Sequence, residues 1–195
     1  MRSVAGWAVL SAVSAPVLLI GGWTAAAARQ PPGYDALTDT ISALAGQAAT
    51  DRWLMSAALG GLGLCHLATA TGLRAAAPAG RLVLALGGAA TILVAALPVP
   101  RAGGSTAHGV AAGTAFLALA LWPALAARAN RPRPALLSPP MAVAGSAALL
   151  AAVGWFALEL SGGTRVGLSE RIAAGAQSLW PLAVVLNARR QSADG

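Results

Sequence analysis

Ten polar side chains in this chain could do chemistry if the fold gathered them: Tyr34, Asp35, Asp39, Ser42, Arg101, His108, Glu159, Arg165, Glu170 and Arg171. Asp39, Glu159 or Glu170 could serve as acid or base, with His108 as proton shuttle. Arg165 or Arg171 could clamp an anion. Ser42 and His108 could share a face with an Asp, but nothing marks that hydroxyl as an activated nucleophile. His66 stands apart, inside an apolar stretch, where an imidazole serves a proton relay or a helix–helix hydrogen bond; the hydrogen bond is the favoured expectation. A metal site is not expected. The chain has two His, they fall toward opposite leaflets, and no ligand spacing supports zinc. No cofactor motif is present, and the single Cys65 allows no intrachain disulfide.

These groups are set in a chain of 195 residues that is 57% apolar and 10% charged. A soluble domain is nearer 45–50% apolar and about 25% charged. This chain lacks the polar residues to cover a water-facing surface, so its outer surface belongs in a bilayer. A spanning helix needs about 20 mostly apolar residues. Six such stretches fall at about 4–28, 53–73, 82–99, 107–127, 141–160 and 171–187. The expected fold is therefore all-α, a single domain over 1–195 with six transmembrane helices. The first stretch also resembles a signal peptide, with Arg2 before it and Ala25–Ala28 after it. Its length favours a retained helix.

The Arg residues divide across these stretches. Arg2, Arg74, Arg81, Arg128, Arg131, Arg133, Arg189 and Arg190 fall on one side, and Arg29, Arg52, Arg101, Arg165 and Arg171 on the other. The richer side should be cytoplasmic, with both termini. Asp35, Asp39, Asp51, Glu159 and Glu170 neutralise the outer side, while Asp194 alone opposes the inner Arg. The whole formal charge of +7 then faces the anionic inner leaflet. There is no Lys and no dense basic run, so nucleic acid is not the expected partner. Trp23, Trp53 and Trp155 fall near the outer interface, and Trp7 and Trp122 near the inner one, as an aromatic belt requires. Trp180 falls mid-membrane, and Pro181 after it should kink the sixth helix.

The loop 29–52 is too patterned for a plain connector. Pro31, Pro32 and Gly33 punctuate it, and a short helix is expected from Asp35 to Ala45, ended by Gly46. Leu37, Ile41 and Leu44 would share one face, Asp35, Asp39 and Ser42 the other, and Asp35 would be the N-cap. Such an amphipathic helix lies along the membrane or folds over the bundle. Ser169 should cap the sixth span, with Glu170 complementing its dipole. The small residues Gly60, Gly61, Gly63, Gly87, Gly88 and the pair Gly109–Gly113 suit close helix contacts in lipid.

Pro32-Gly33-Tyr34-Asp35, with Leu37, Asp39, Ile41, Ser42 and Leu44, resembles the first-loop signature of the bacterial and archaeal membrane family DUF998. His108-Gly109 and Gly167-Leu168-Ser169-Glu170-Arg171-Ile172 are similar to later signatures of that family. The resemblance covers almost the full chain. It implies a six-span membrane protein and carries no established activity.

The leading expectation is a multi-pass plasma-membrane protein, not an enzyme, that binds a lipid-like ligand or a membrane protein partner at the outer polar cluster. An intramembrane enzyme acting on a lipid or isoprenoid at the outer leaflet is the second reading. A small transporter is the third, weakened because the helix interiors offer almost no polar path beyond His66.

Overall fold

The computed structural model describes residues 4–129 and 133–193. Arg2, Arg131 and Asp194, which enter the charge division above, lie outside the described residues. Seven α-helices and one 3₁₀ turn, with no strand, make up the described chain: α1 Gly6–Ala27, α2 Ile41–Leu44, α3 Trp53–Gly72, α4 Pro78–Ala96, α5 Thr106–Leu125, α6 Pro139–Leu160 and α7 Val166–Ala193. The expected all-α class holds, and each expected span falls on one long helix. Pro78 and Pro139 each open a helix in the first turn, where the missing N–H costs nothing.

Five helices, α1, α3, α4, α5 and α6, are long and apolar enough to cross a membrane. α7 has the length, at 28 residues, but not the composition. Glu170, Arg171, Gln177, Ser178, Asn187, Arg189 and Arg190 dilute it. Several of these polar groups are buried: Glu170 is 3% exposed, Gln177 1% and Ser178 0%. α7 therefore turns its polar side into the protein.

The long helices form a closed ring. α1 packs on α3, α3 on α4, α4 on α5, α5 on α6, α6 on α7, and α7 returns to α1. Short connections make sequential neighbours antiparallel. One end of the ring thus collects the starts of α3, α5 and α7, the ends of α1, α4 and α6, and the short α2. The ring is built inside out compared with a soluble domain. Its core holds many small residues, among them Ala8, Ala12, Ala15 and Ala120, at 0–1% exposure, while Leu82 and Leu158 point outward at 72% and 75%. Trp122 is 0% exposed, so it is a core residue and not an interfacial anchor. Trp7 and Trp53, at 53% and 64%, keep the exposure an interfacial belt needs.

Glycine sets the α3–α4 contact. A Cβ on Gly63 would lie 2.5 Å from the Gly88 carbonyl oxygen, and one on Gly88 would lie 2.7 Å from that of Gly63. The two backbones touch. Gly109 and Gly113 behave differently from the expectation for a small-residue pair. Nothing lies within 4 Å of a Cβ at either, because that face of α5 turns away from the ring. Ala at either position should change stability by no more than about 1 kcal/mol, in the stabilising direction, since Ala is the better helix former. Thermal unfolding of each variant in detergent checks this.

Candidate functional site

α2 is one turn long, and a helix so short does not hold itself. Thr40 is its N-cap and accepts the Ala43 N–H at 3.0 Å. Ile41, Leu44 and Ala45 are buried beneath it, at 1–3% exposure. The decisive partner comes from α7. The Glu170 carboxylate accepts the Ile41 backbone N–H through Oε2 and the Ser42 hydroxyl through Oε1 at 2.9 Å. An anion at a helix N-terminus is stabilised by the unpaired N–H groups and the helix dipole. α2 is a plug over one end of the ring, fastened by a buried carboxylate.

Arg171 fastens the loop before it. Its Nη1 donates to the carbonyls of Ala36 at 2.9 Å, Asp39 at 2.7 Å and Gly167 at 2.9 Å, and its Nη2 donates to the Tyr34 hydroxyl. Burial pushes the Tyr34 phenol above its ordinary value, with the Arg171 cation opposing. The phenol stays protonated and accepts from the guanidinium. The Leu168 N–H, unsatisfied within its own helix, donates to the Leu37 carbonyl at 3.1 Å. Gly167 permits this approach: a Cβ there would lie 2.6 Å from the Ala36 carbonyl oxygen and closer still to that of Asp39.

Several expectations need correction here. The helix expected from Asp35 to Ala45 is reduced to Ile41–Leu44. The two carboxylates before it hold a turn instead: Asp35 Oδ1 accepts the Leu37 N–H at 2.9 Å, and Asp39 Oδ2 accepts the Asp35 N–H at 2.8 Å. Asp side chains compete with helical bonding in this way. Asp35 is therefore not the N-cap, and Leu37, 51% exposed, is not part of the buried face. Ser169 does not cap α7, which begins at Val166; its hydroxyl donates to the Val166 carbonyl at 3.0 Å. Glu170 serves α2 and not its own helix start.

The remaining members of the cluster lie elsewhere. Glu159 accepts from Trp155 Nε1 at 3.1 Å and from the Arg165 backbone N–H at 2.7 Å, which fixes the α6–α7 turn. The His108 Nδ1 pairs with the Leu97 carbonyl at 2.7 Å and ties the start of α5 to the end of α4. Arg101 and the Arg165 side chain are exposed. Tyr34, Asp35, Asp39, Ser42, Glu170 and Arg171 thus form one built assembly, while Arg101, His108, Glu159 and Arg165 do not converge on it. Among the described residues no three His, Cys, Asp or Glu side chains gather as metal ligands.

Beneath the plug the ring lines a partly open cavity of about 50 Å³. Ile41, Ser42 and Glu170 line it at the plug, and Thr91, Gln177 and His66 line it as well. Gln177 Nε2 donates to the Phe116 carbonyl at 2.8 Å, and Thr91 Oγ1 donates to the Gly87 carbonyl at 2.8 Å. His66 is 1% exposed, and neither ring nitrogen has a hydrogen-bond partner among the described residues. The helix–helix hydrogen bond expected of His66 is not formed. Apolar Leu62, Leu119 and Val94 share its surroundings, and Thr91 and Gln177 on the same wall are bonded to the Gly87 and Phe116 carbonyls instead.

The two sequence signatures, the first loop and the start of α7, are thus the two halves of one fastening. A family model described as "Protein of unknown function (DUF998)" matches residues 7–187. The chain belongs to the DUF998 family. No curated protein and no solved structure matches it.

In this DUF998 chain a second concave feature lies on the outside of the ring, between α4 and α5. It is a groove of about 570 Å³, lined by Leu86, Leu93, Leu97, Ala107, Val110 and Thr114 among others. It runs toward the plug end, where the loop carrying Arg101 joins the two helices and His108 pairs with Leu97. Sequence reasoning passed over Gln177 and Thr91. The signal for Gln177 was available: it stands seven residues after Glu170, on the same helical face, in an otherwise apolar run.

Proposed function

We propose that this DUF998 chain is a six-span protein of the bacterial plasma membrane that binds a lipid in the α4–α5 groove, at its extracytoplasmic end. The observation that carries the reading is the groove itself, apolar along its length, open to the outside of the ring, and adjoined by a loop with an exposed cation. An acyl chain fits the Leu and Val lining, and Arg101 is placed to meet an anionic head group. α7 serves as the sixth crossing. Its buried Glu170, Gln177 and Ser178 avoid lipid, and Ile172, Leu179 and Leu186 supply an outward apolar face at 37–47% exposure. The Arg-rich end opposite α2, carrying Arg74, Arg81, Arg128, Arg133, Arg189 and Arg190, supports cytoplasmic termini.

Acid–base chemistry at the plug end has less to work with. The carboxylates of Asp35, Asp39, Glu159 and Glu170 already accept protein donors.

Native mass spectrometry of the gently extracted protein tests the lipid reading. Wild type should carry a phospholipid-mass adduct, and Ala107→Trp, which fills the groove from an exposed position, should lose it. Arg101→Ala should keep the adduct but lose preference for anionic lipids. A bare wild-type chain would sink the reading. A stable doublet of chains in place of an adduct would assign the groove to a partner helix.

A further inference from the structure

The cavity beneath the plug carries an inference that does not depend on the groove. A neutral imidazole has one N–H donor and one acceptor nitrogen. Each left unpaired in the interior costs about 1–3 kcal/mol. His66 lines the cavity, and both its ring nitrogens are buried without a hydrogen-bond partner among the described residues. A cavity lined only by hydrocarbon stays dry, but one with two to four polar partners holds water, at about 10–15 Å³ of accessible volume per molecule. At about 50 Å³ the space is above the threshold for holding water. Glu170 and Gln177 line the same cavity two turns apart on α7, about 10 Å along its axis. Hydrogen-bonded waters about 2.8 Å apart cover that span with about four molecules.

We propose that this cavity is a hydrated site in which a short water chain links His66, past Gln177, to Glu170, and that the chain carries protons between these two groups up to the underside of the plug. The titratable groups on the cavity wall are His66 from α3 and Glu170 from α7. α1, α4 and α5 contribute Leu19, Thr91, Val94, Phe116 and Leu119, none of which titrates. Arg171, next to Glu170, directs its guanidinium away into the loop. A metal ion is disfavoured at this site, because its two candidate ligands are one imidazole and a carboxylate whose oxygens already serve Ile41 and Ser42. Sequence alone left a polar path to rest on His66; the fold sets Thr91, Gln177 and Glu170 on the wall of the same cavity.

Histidine-selective ¹⁵N labelling of the full chain in phospholipid nanodiscs reads this directly, because the protein has two imidazoles and His108→Gln assigns them. Magnetisation exchange between water and the His66 ring is expected in wild type. Ala115→Leu fills the cavity and should abolish that exchange while leaving the His108 signal in place. If Ala115→Leu does not fold, Thr91→Val keeps the shape, removes one water partner and should weaken the exchange at least twofold. Glu170→Gln should slow it severalfold; faster exchange there would mean that loosening of the plug, and not the carboxylate, governs the exchange, and would overturn the link to Glu170. A wild-type His66 ring with no water exchange overturns the proposal. So does exchange that neither Ala115→Leu, Thr91→Val nor Glu170→Gln alters, since the water would then reach His66 by another route.

Discussion

Glu170→Ala is expected to free residues 40–46 while leaving the ring of long helices in place. The substitution strips the Ile41 N–H and the Ser42 hydroxyl of their acceptor. Two buried donors without partners cost about 1–3 kcal/mol each, so a loss of about 2–6 kcal/mol is expected, concentrated in the loop. Arg171 would still hold Ala36, Asp39 and Tyr34, so the loop should hinge about that point and α2 should be the part that lifts. Glu170→Gln keeps one acceptor oxygen and should recover about half of the loss. Hydrogen exchange decides the matter: the Ile41 and Ser42 amides should lose protection in Glu170→Ala, with α3 and α4 unchanged. Unaltered protection there would mean that burial of Ile41 and Leu44 holds the plug without help.

The second large effect is expected at Gly88. A Cβ there meets the Gly63 carbonyl oxygen at 2.7 Å, the His66 Cβ at 3.0 Å and the Leu67 nitrogen at 3.1 Å. Two of the three neighbours are main chain, which does not swing aside. Gly88→Ala forces α3 and α4 apart by a few tenths of an ångström at the least and should cost about 1–3 kcal/mol. Gly88→Leu adds three further carbons where backbone already stands. It should cost more than 3 kcal/mol and sharply reduce folded yield from membranes. Gly109→Leu, on the neighbouring helix with open space around it, is the matched control and should express as wild type does. Equal yields for Gly88→Leu and Gly109→Leu would show that the α3–α4 seam can open without loss.

The difference between those two glycines marks where sequence reasoning stops. Both have small-residue surroundings. Spacing alone favours Gly109–Gly113, a GxxxG pair, but spacing does not reveal which way a helix faces when it is apolar all round. The helix positions were legible because hydrocarbon thickness fixes a length, and α1 and α3 end within two residues of the expected bounds. Chemistry at the plug was only half legible. Tyr34, Asp39, Ser42, Glu170 and Arg171 were marked as one group, yet Glu170 was given to its own helix and Asp35 to a helix start that does not exist. Local rules assign a carboxylate to the nearest N-terminus, whereas the terminus that Glu170 serves lies 129 residues away. Gln177 and Thr91 went unremarked because a single amide or hydroxyl in an apolar run has no signature until a ring closes around it.

That separation of 129 residues also sets an order of events during synthesis. At about 5–20 residues per second, roughly 6–26 s pass between the making of Ile41 and the making of Glu170. For that time the first loop lacks its Glu170 and Arg171 anchors. The face of α1 that α7 will cover stays open while α3, α4, α5 and α6 are made. The last helix then does two things at once: it closes the ring and locks the segment made near the beginning. A chain arrested before Val166 would carry every described helix that qualifies as a span by length and hydropathy, yet its α2 would be unfastened.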